Sequence, residues 1–310
     1  MTDWSLRPSG EAVHGFFSRD IEPAITIEAG DSVRFETLDC WWSSGPYDGG
    51  AFPDRPKVAA FEQGAGHAMT GPVRVSGAAA GMTLEVGITS IVPGSWGTCI
   101  AGGKPSRINE KYGIELDGVV HTWDLDPSTM TGRNQHGHTV ALRPFMGVMG
   151  MPPPEAGQHS TVPPRIFGGN LDCRELVAGS TLYLPISVDG ALFSVGDGHA
   201  AQGDGEVSGT AIECPMESVE LTFNVRSDLP INTPIANTPA GWISMGLGEN
   251  LDDAAFAALE SMFDLMQNEH GLSRLDAIAL ASVVVDLRVT QIVNGVVGVH
   301  AVLPHGALSH

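Results

Sequence analysis

Apolar and polar residues alternate in short runs along the first 245 residues, and the runs end at glycines, prolines or Asp-Gly steps. Side chains of an extended strand point to opposite faces in turn, so such runs suit strands with one buried face. The stretch ITIEAGDSVRFET, residues 25–37, places two of them around Ala29-Gly30-Asp31. MTLEVGITS (82–90) and VELTFNVR (219–226) alternate again. Asp117-Gly118 divides GIELDGVVHTWDLD (113–126), and Asp189-Gly190 separates TLYLPISV (181–188) from ALFSV (191–195). Both steps are hairpin signals, because Asp-Gly accepts the positive φ of a tight turn. Many short strands at this spacing predict a mainly β protein with a β-sandwich or jelly-roll-like core.

Two stretches rich in proline and glycine, 39–56 and 149–170, interrupt the pattern. Proline removes ladder donors and disfavours helix, so both are expected to be ordered loops. Residues 246–310 change character. Asn250 precedes two aspartates and a stretch with apolar residues at helical spacing, and Gly271 is placed to close that helix. Ser273 and Asp276 open a second helix, and strand character returns at 286–304. The expected organisation is a β-rich unit over 1–245 carrying the functional site. A smaller α+β part over 246–310, a helical hairpin plus strand, packs on the same core.

The formal net charge of −20 repels phosphates, which argues against nucleic acid and anionic membranes as partners. A small neutral ligand is compatible with it. The four cysteines form no CxxC pair, no basic-then-apolar leader opens the chain, and no apolar run is long enough to span a bilayer. A cytoplasmic protein with reduced thiols is expected. GxSxG, GxGxxG and HExxH are missing, and none of Lys57, Lys104 and Lys111 stands in a context suited to nitrilase-type or Ser-Ser-Lys chemistry.

Chemistry concentrates instead in GDGHAAQGDGE, residues 196–206. Residues two apart in extended chain share a face, so Asp197 pairs with His199, and Gln202, Asp204 and Glu206 form a second set. The residues between them are Gly or Ala, which permit close backbone approach. Carboxylate and imidazole together suit zinc and similar cations; calcium competes, although the spacing is not that of an EF-hand. A Glu outside the ligand set could carry protons. Read alone, His67 is a surface or hydrogen-bonded histidine, Asp39 a turn or cap residue, and Cys40 a small buried residue. His136 and His138 could chelate as an i, i+2 pair but read as exposed loop. His159, His305 and His310 are weaker still, and Glu155 in the proline loop could reach a pocket.

At these residues the chain resembles the acetamidase/formamidase family. The resemblance runs through residues 37–39, GHAMTGPVRVSGA (66–78), PPRIFGGNLD (163–172), the block 179–213 and DLRVTQIVN (286–294). It implies a β-rich fold, a homo-oligomer and hydrolysis of short-chain linear amides to carboxylate and ammonia. It also implies a divalent metal, zinc first and calcium second. It points to Asp39, His67, Asp197 and His199 as ligands and to Glu206 as ligand or base, so that Asp197 and Glu206 carry the catalytic expectation. The segment DCWWSSGPYDGGAFPDRP (39–56) departs from the family's pattern, and its Trp41 and Trp42 would admit a bulkier amide if they line the pocket. The competing expectation is a non-catalytic, metal-dependent β-sandwich that binds a carbohydrate or another small ligand, with the two tryptophans as a stacking platform.

Overall fold

The computed structural model describes residues 3–103, 105–114 and 118–309. These residues form a mainly β protein with a small C-terminal helical part, in three sheets. The largest has nine strands in the order Asp3–Leu6, Ser32–Thr37, Met216–Arg226, Thr83–Pro93, Thr181–Pro185, Ile235–Thr238, Gly241–Gly248, Val297–Leu303 and Asp286–Gln291. A six-stranded sheet runs Gly168–Asn170, Phe145–Gly150, Phe193–His199, Met69–Val75 and Val13–His14, with Ile25–Ile27 also on Met69–Val75. A four-stranded sheet is built from Thr139–Ala141, Thr131–Asn134, Gly118–Asp126 and Trp96–Gly102.

The two large sheets share one apolar core, which makes them a sandwich. Val33, Phe35, Leu84, Val86, Leu221 and Phe223 come from the nine-stranded sheet, and Val73, Val75, Met146, Phe193 and Val195 from the six-stranded one. Phe193 and Phe223 meet edge to face with ring centroids 5.2 Å apart. The alternation in the sequence is thus spent on one interior, as period-2 patterning requires.

Two of the expected turns do different work. The strands around Ala29-Gly30-Asp31 do not pair with each other. Ile25–Ile27 joins Met69–Val75 in the six-stranded sheet, while Ser32–Thr37 pairs with Met216–Arg226 in the nine-stranded one. Asp189-Gly190 likewise links Thr181–Pro185 in one sheet to Phe193–His199 in the other. Both turns are corners of the sandwich. Local turn chemistry bends the chain, and burial of the two apolar faces on one core decides where each strand goes. Asp117 lies outside the described residues.

The helices follow their caps. In α1, Arg107–Tyr112, the Ser106 side chain accepts from the Asn109 amide. In α2, Leu251–His270, Asn250 Oδ1 accepts from the Asp253 amide at 3.0 Å, and Gly271 ends the helix at φ 63°. In α3, Arg274–Val284, Ser273 Oγ accepts from Asp276 at 3.1 Å. Ala254, Ala258, Met262 and Met266 of α2 are buried against the C-terminal strands. Gly246 allows this: a Cβ there would run into the backbone of Ala254 and Ala258. The division expected at 245/246 falls inside the Gly241–Gly248 strand, which shares its sheet with the earlier strands. Among the described residues no helix is long and apolar enough to cross a membrane.

Candidate active site

The Phe193–His199 strand lies between Phe145–Gly150 and Met69–Val75, and all seven of its residues are buried. Asp197 and His199, two apart, turn to the same side, as the spacing predicts. His199 Nε2 lies 3.4 Å from Asp197 Oδ1 and 3.0 Å from Glu213 Oε2. Asp197 holds φ 57°, a left-handed conformation that costs a residue with a Cβ about 1 kcal/mol. Strain of that kind gathers at functional sites.

Three further acids complete the cluster. Glu213 is held by its own backbone, which exchanges two 2.9 Å hydrogen bonds with Thr98 and bridges to His199. Its Oε1 accepts from the Ala211 amide at 2.8 Å. Asp172 follows the Gly168–Asn170 strand with φ 50°, and its Oδ2 accepts from Asn294 Nδ2 at 2.6 Å. Glu206, at φ 46°, ends a turn pinned to the C-terminal strands by Gly205, whose amide donates to Thr290 O at 3.0 Å.

Ligand atoms of Asp172, His199 and Glu206 lie within 4.8 Å of one another, and so do those of Cys40, Asp197 and Glu213. His199 Nδ1, Asp172 Oδ1 and Glu206 Oε2 are buried without a hydrogen bond, and His199 Nε2 and Glu213 Oε2 face each other at 3.0 Å. Buried charged carboxylates left without a hydrogen bond cost several kcal/mol each unless a cation faces them or they take up a proton. Gly147 makes room for these side chains to converge. A Cβ there would come 2.5 Å from Asp197 Oδ2 and 2.8 Å from both Asp172 Oδ1 and His199 Cε1. Carboxylate oxygens and an imidazole grouped within 4.8 Å of one another fit a divalent cation.

The charges respond to burial and to each other. Burial pushes Asp172 up to about 7, with His199 pulling down and Asp197 and Glu213 pushing up. Burial, then the negative Asp172, raises Glu206 well above the usual carboxylate range. Burial raises Glu213 too. For Asp197 burial opposes the charge, but His199 and His67 outweigh it and hold the carboxyl below its usual range. For His199 burial opposes protonation, and Glu213 and Asp197 overcome it. The Cys40 thiol is pushed up by burial and the surrounding acids.

The structure brings Asp197, His199 and Glu206 together, with His67 acting on Asp197 electrostatically. Thr161 Oγ1 lies 3.0 Å from His67 Nδ1 and accepts from the His67 amide at 2.9 Å, which fixes the ring. Asp39 is engaged by its own turn: Ser43 donates its amide to Oδ1 and its hydroxyl to Oδ2, each at 2.7 Å. Gln202 and Asp204 do not join the set. The chain turns at 203–206 instead of staying extended, so Gln202 donates to Asp172 O and Asp204 faces Arg174 at 4.0 Å. Glu155 is exposed, and its carbonyl lies 3.0 Å from His159 Nε2. His305 Nε2 lies 2.8 Å from Thr238 O, and His310 is outside the described residues.

The two tryptophans part company. Trp42 is buried with Val13 and Ala68 and donates Nε1 to Gly66 O at 2.8 Å, so it braces the turn before His67. Trp41 meets Phe52 edge to face at 4.8 Å and lines a cavity of about 720 Å³ with Tyr47 and Arg55.

The family model for the acetamidase/formamidase family matches residues 3–159 and 155–305. The chain belongs to that family. An acetamidase crystal structure from Bacillus halodurans superposes with a TM-score of 0.85 at 30% identity, covering 97% of each chain. The acetamidase of Mycolicibacterium smegmatis is 26% identical over 261 residues, 66% of this chain and 63% of that relative. A Schizosaccharomyces pombe protein, a formamidase by name, is 27% identical over 279 residues, 72% of this chain and 67% of its own length. The chain thus spans about two thirds of these two curated relatives.

Asp172, Glu213, Asn294 and Gly147 escaped the sequence reading as site residues. Asp172, Glu213 and Asn294 close the segments 163–172, 179–213 and 286–294 that carry the family resemblance, so position at a motif's end was the available signal. Gly147 sits in an apolar stretch, FMGVMG, that offers none.

Proposed function

We propose that this chain is a metal-dependent hydrolase that cleaves the C–N bond of a short-chain linear amide to carboxylate and ammonia. The observation that carries the reading is the convergence of Asp172, His199 and Glu206, whose ligand atoms lie within 4.8 Å of one another, with Asp172 Oδ1, His199 Nδ1 and Glu206 Oε2 buried and without a hydrogen bond. Family membership supplies the reaction class.

Asp172, Asp197, His199 and Glu213 would hold the cation, and the mixed nitrogen and oxygen donors favour zinc, with calcium second. When bound, the cation polarises the amide carbonyl and lowers the pKa of water. Glu206 Oε2 takes the proton of the attacking water and delivers it to the leaving nitrogen. Burial raises this carboxyl, the direction that makes it a better proton acceptor. Asn294 and Ala211 fix the carboxylates of Asp172 and Glu213, and the burial of the cluster excludes bulk water.

Elemental analysis coupled to ammonia release from formamide, acetamide, propionamide and aromatic amides tests the proposal. Metal-replete protein that releases ammonia from none of them would sink it.

A further inference from the structure

The sequence singled out His136 and His138, and the amide-cleaving site does not use them. The structure places both beside a third histidine. His121 lies on the Gly118–Asp126 strand, directly opposite Cys99 on Trp96–Gly102. Trp123 pairs with Asn134 on the next strand, so the turn after Asn134 brings His136 alongside His121. The His121 and His136 ring centroids are 5.4 Å apart, and those of His136 and His138 are 6.4 Å apart.

The turn that presents them is built by a buried side chain. Asn134 Oδ1 accepts from the His136 amide at 3.1 Å and from the His138 amide at 2.9 Å. Its Nδ2 lies 3.2 Å from His138 Nδ1. Gly137 supplies φ 88° between the two histidines, and Gln135 Nε2 donates to Val120 O at 2.7 Å, which clamps the turn to the His121 strand. One buried asparagine therefore holds two imidazoles beside a third.

We infer that His121, His136 and His138 form a second metal site, which takes a divalent transition cation such as Ni²⁺, Cu²⁺ or Zn²⁺. Imidazole nitrogens bind such cations at about 2.0–2.1 Å, which puts the centroids of two rings sharing a tetrahedral ion about 5–6 Å apart. The His121–His136 separation falls within that range, and the His136–His138 separation of 6.4 Å lies just beyond it, so His138 has to swing inward to bind. His136 and His138 are exposed, so their rings are free to turn lone pairs toward a common point. His138 exchanges its 3.2 Å contact with Asn134 for the ion, and water fills the open positions. Arg133, on the same strand as Asn134, extends toward Gly137. Strand alternation starts its side chain on the face opposite Asn134, yet its guanidinium ends 3.6 Å from where a Gly137 Cβ would sit, so the ion binds against one neighbouring positive charge. The site is independent of the acid cluster and of the reaction proposed there.

Calorimetric titration of the metal-stripped full chain with Ni²⁺ tests it. His121→Ala/His136→Ala is expected to lose one equivalent per chain and leave ammonia release unchanged. His136→Gln alone, on an exposed turn with no role in the core, is expected to weaken that equivalent at least about tenfold, since even outer-shell changes at metal sites cost that much. Unchanged stoichiometry and affinity in His136→Gln overturn the inference, whether or not the double variant folds. Loss of ammonia release in a folded double variant that keeps all its Ni²⁺ would overturn it as well.

Discussion

Asn294 donates its side-chain amide to Asp172 Oδ2 across 2.6 Å and so ties the turn before the last strand to the rim of the acid cluster. That turn is itself fixed, because Gln291 Oε1 accepts from the Asn294 amide at 3.1 Å. Asn294→Ala removes the side-chain donor to Asp172 Oδ2 and frees the carboxylate to rotate. Metal affinity is expected to fall about 10–100-fold, the usual cost of losing a group that orients a ligand. A chelator-competition titration reads it, and unchanged affinity would contradict the assignment of Asp172.

Glu206→Gln separates holding from proton transfer. The amide keeps the shape and loses the basic oxygen, so kcat is expected to drop roughly 10²–10⁴-fold while metal content holds. A binding module would keep both its metal and its ligand affinity and show no turnover in either form. Parallel elemental analysis and ammonia assays distinguish the two.

Gly147→Ala tests the close approach of Asp172, Asp197 and His199. Its φ is not in the left-handed region, so the backbone accepts alanine, and the nearest atoms to the methyl group belong to Asp197, Asp172 and His199. Activity is expected to fall by about 10² or more, since displacements near 1 Å cost that much. The melting temperature should move little. A variant as active as the parent would show that the placement of these three side chains does not matter to the reaction.

His300 gives a pH signature outside the site. Burial lowers its pKa to about 4, with Glu175 opposing and Arg288 and Arg174 assisting. The unfolded chain takes up this proton near pH 6.5 and the folded chain only near 4. Between those values the unfolded state binds more protons, so stability falls as pH drops, by about 3 kcal/mol in all. Urea unfolding from pH 7 to 4 should show a shallower decline for His300→Gln. Parallel declines in the two proteins would refute the linkage.

Much of this was legible in the chain. Alternation at 25–37, 82–90 and 219–226 gave strands, and Asn250, Gly271 and Ser273 gave helix ends, because caps and pleats act over a few residues. The pairing of Asp197 with His199 followed from period 2. What the sequence could not carry was distance. The turns at Gly30 and Gly190 look like hairpins locally, and only the shared core sends their strands to different sheets. Gln202 and Asp204 drop out because the backbone turns at 203–206 and binds the C-terminal strands. Asp172 and Glu213 reach the cluster from segments whose own spacing says nothing of His199.

The backbone of Glu213 is stitched to Thr98 of the four-stranded sheet on one side and bridged to His199 on the other. That small sheet is therefore a mechanical support of the acid cluster. Any event that peels it away, such as gentle heating or a nick in one of its turns, carries the Glu213 carboxylate out of register while the sandwich core stays closed. Partial opening of this kind costs less than global unfolding. Inactivation would then run ahead of melting, and the temperature at which the enzyme stops working would report on its smallest sheet.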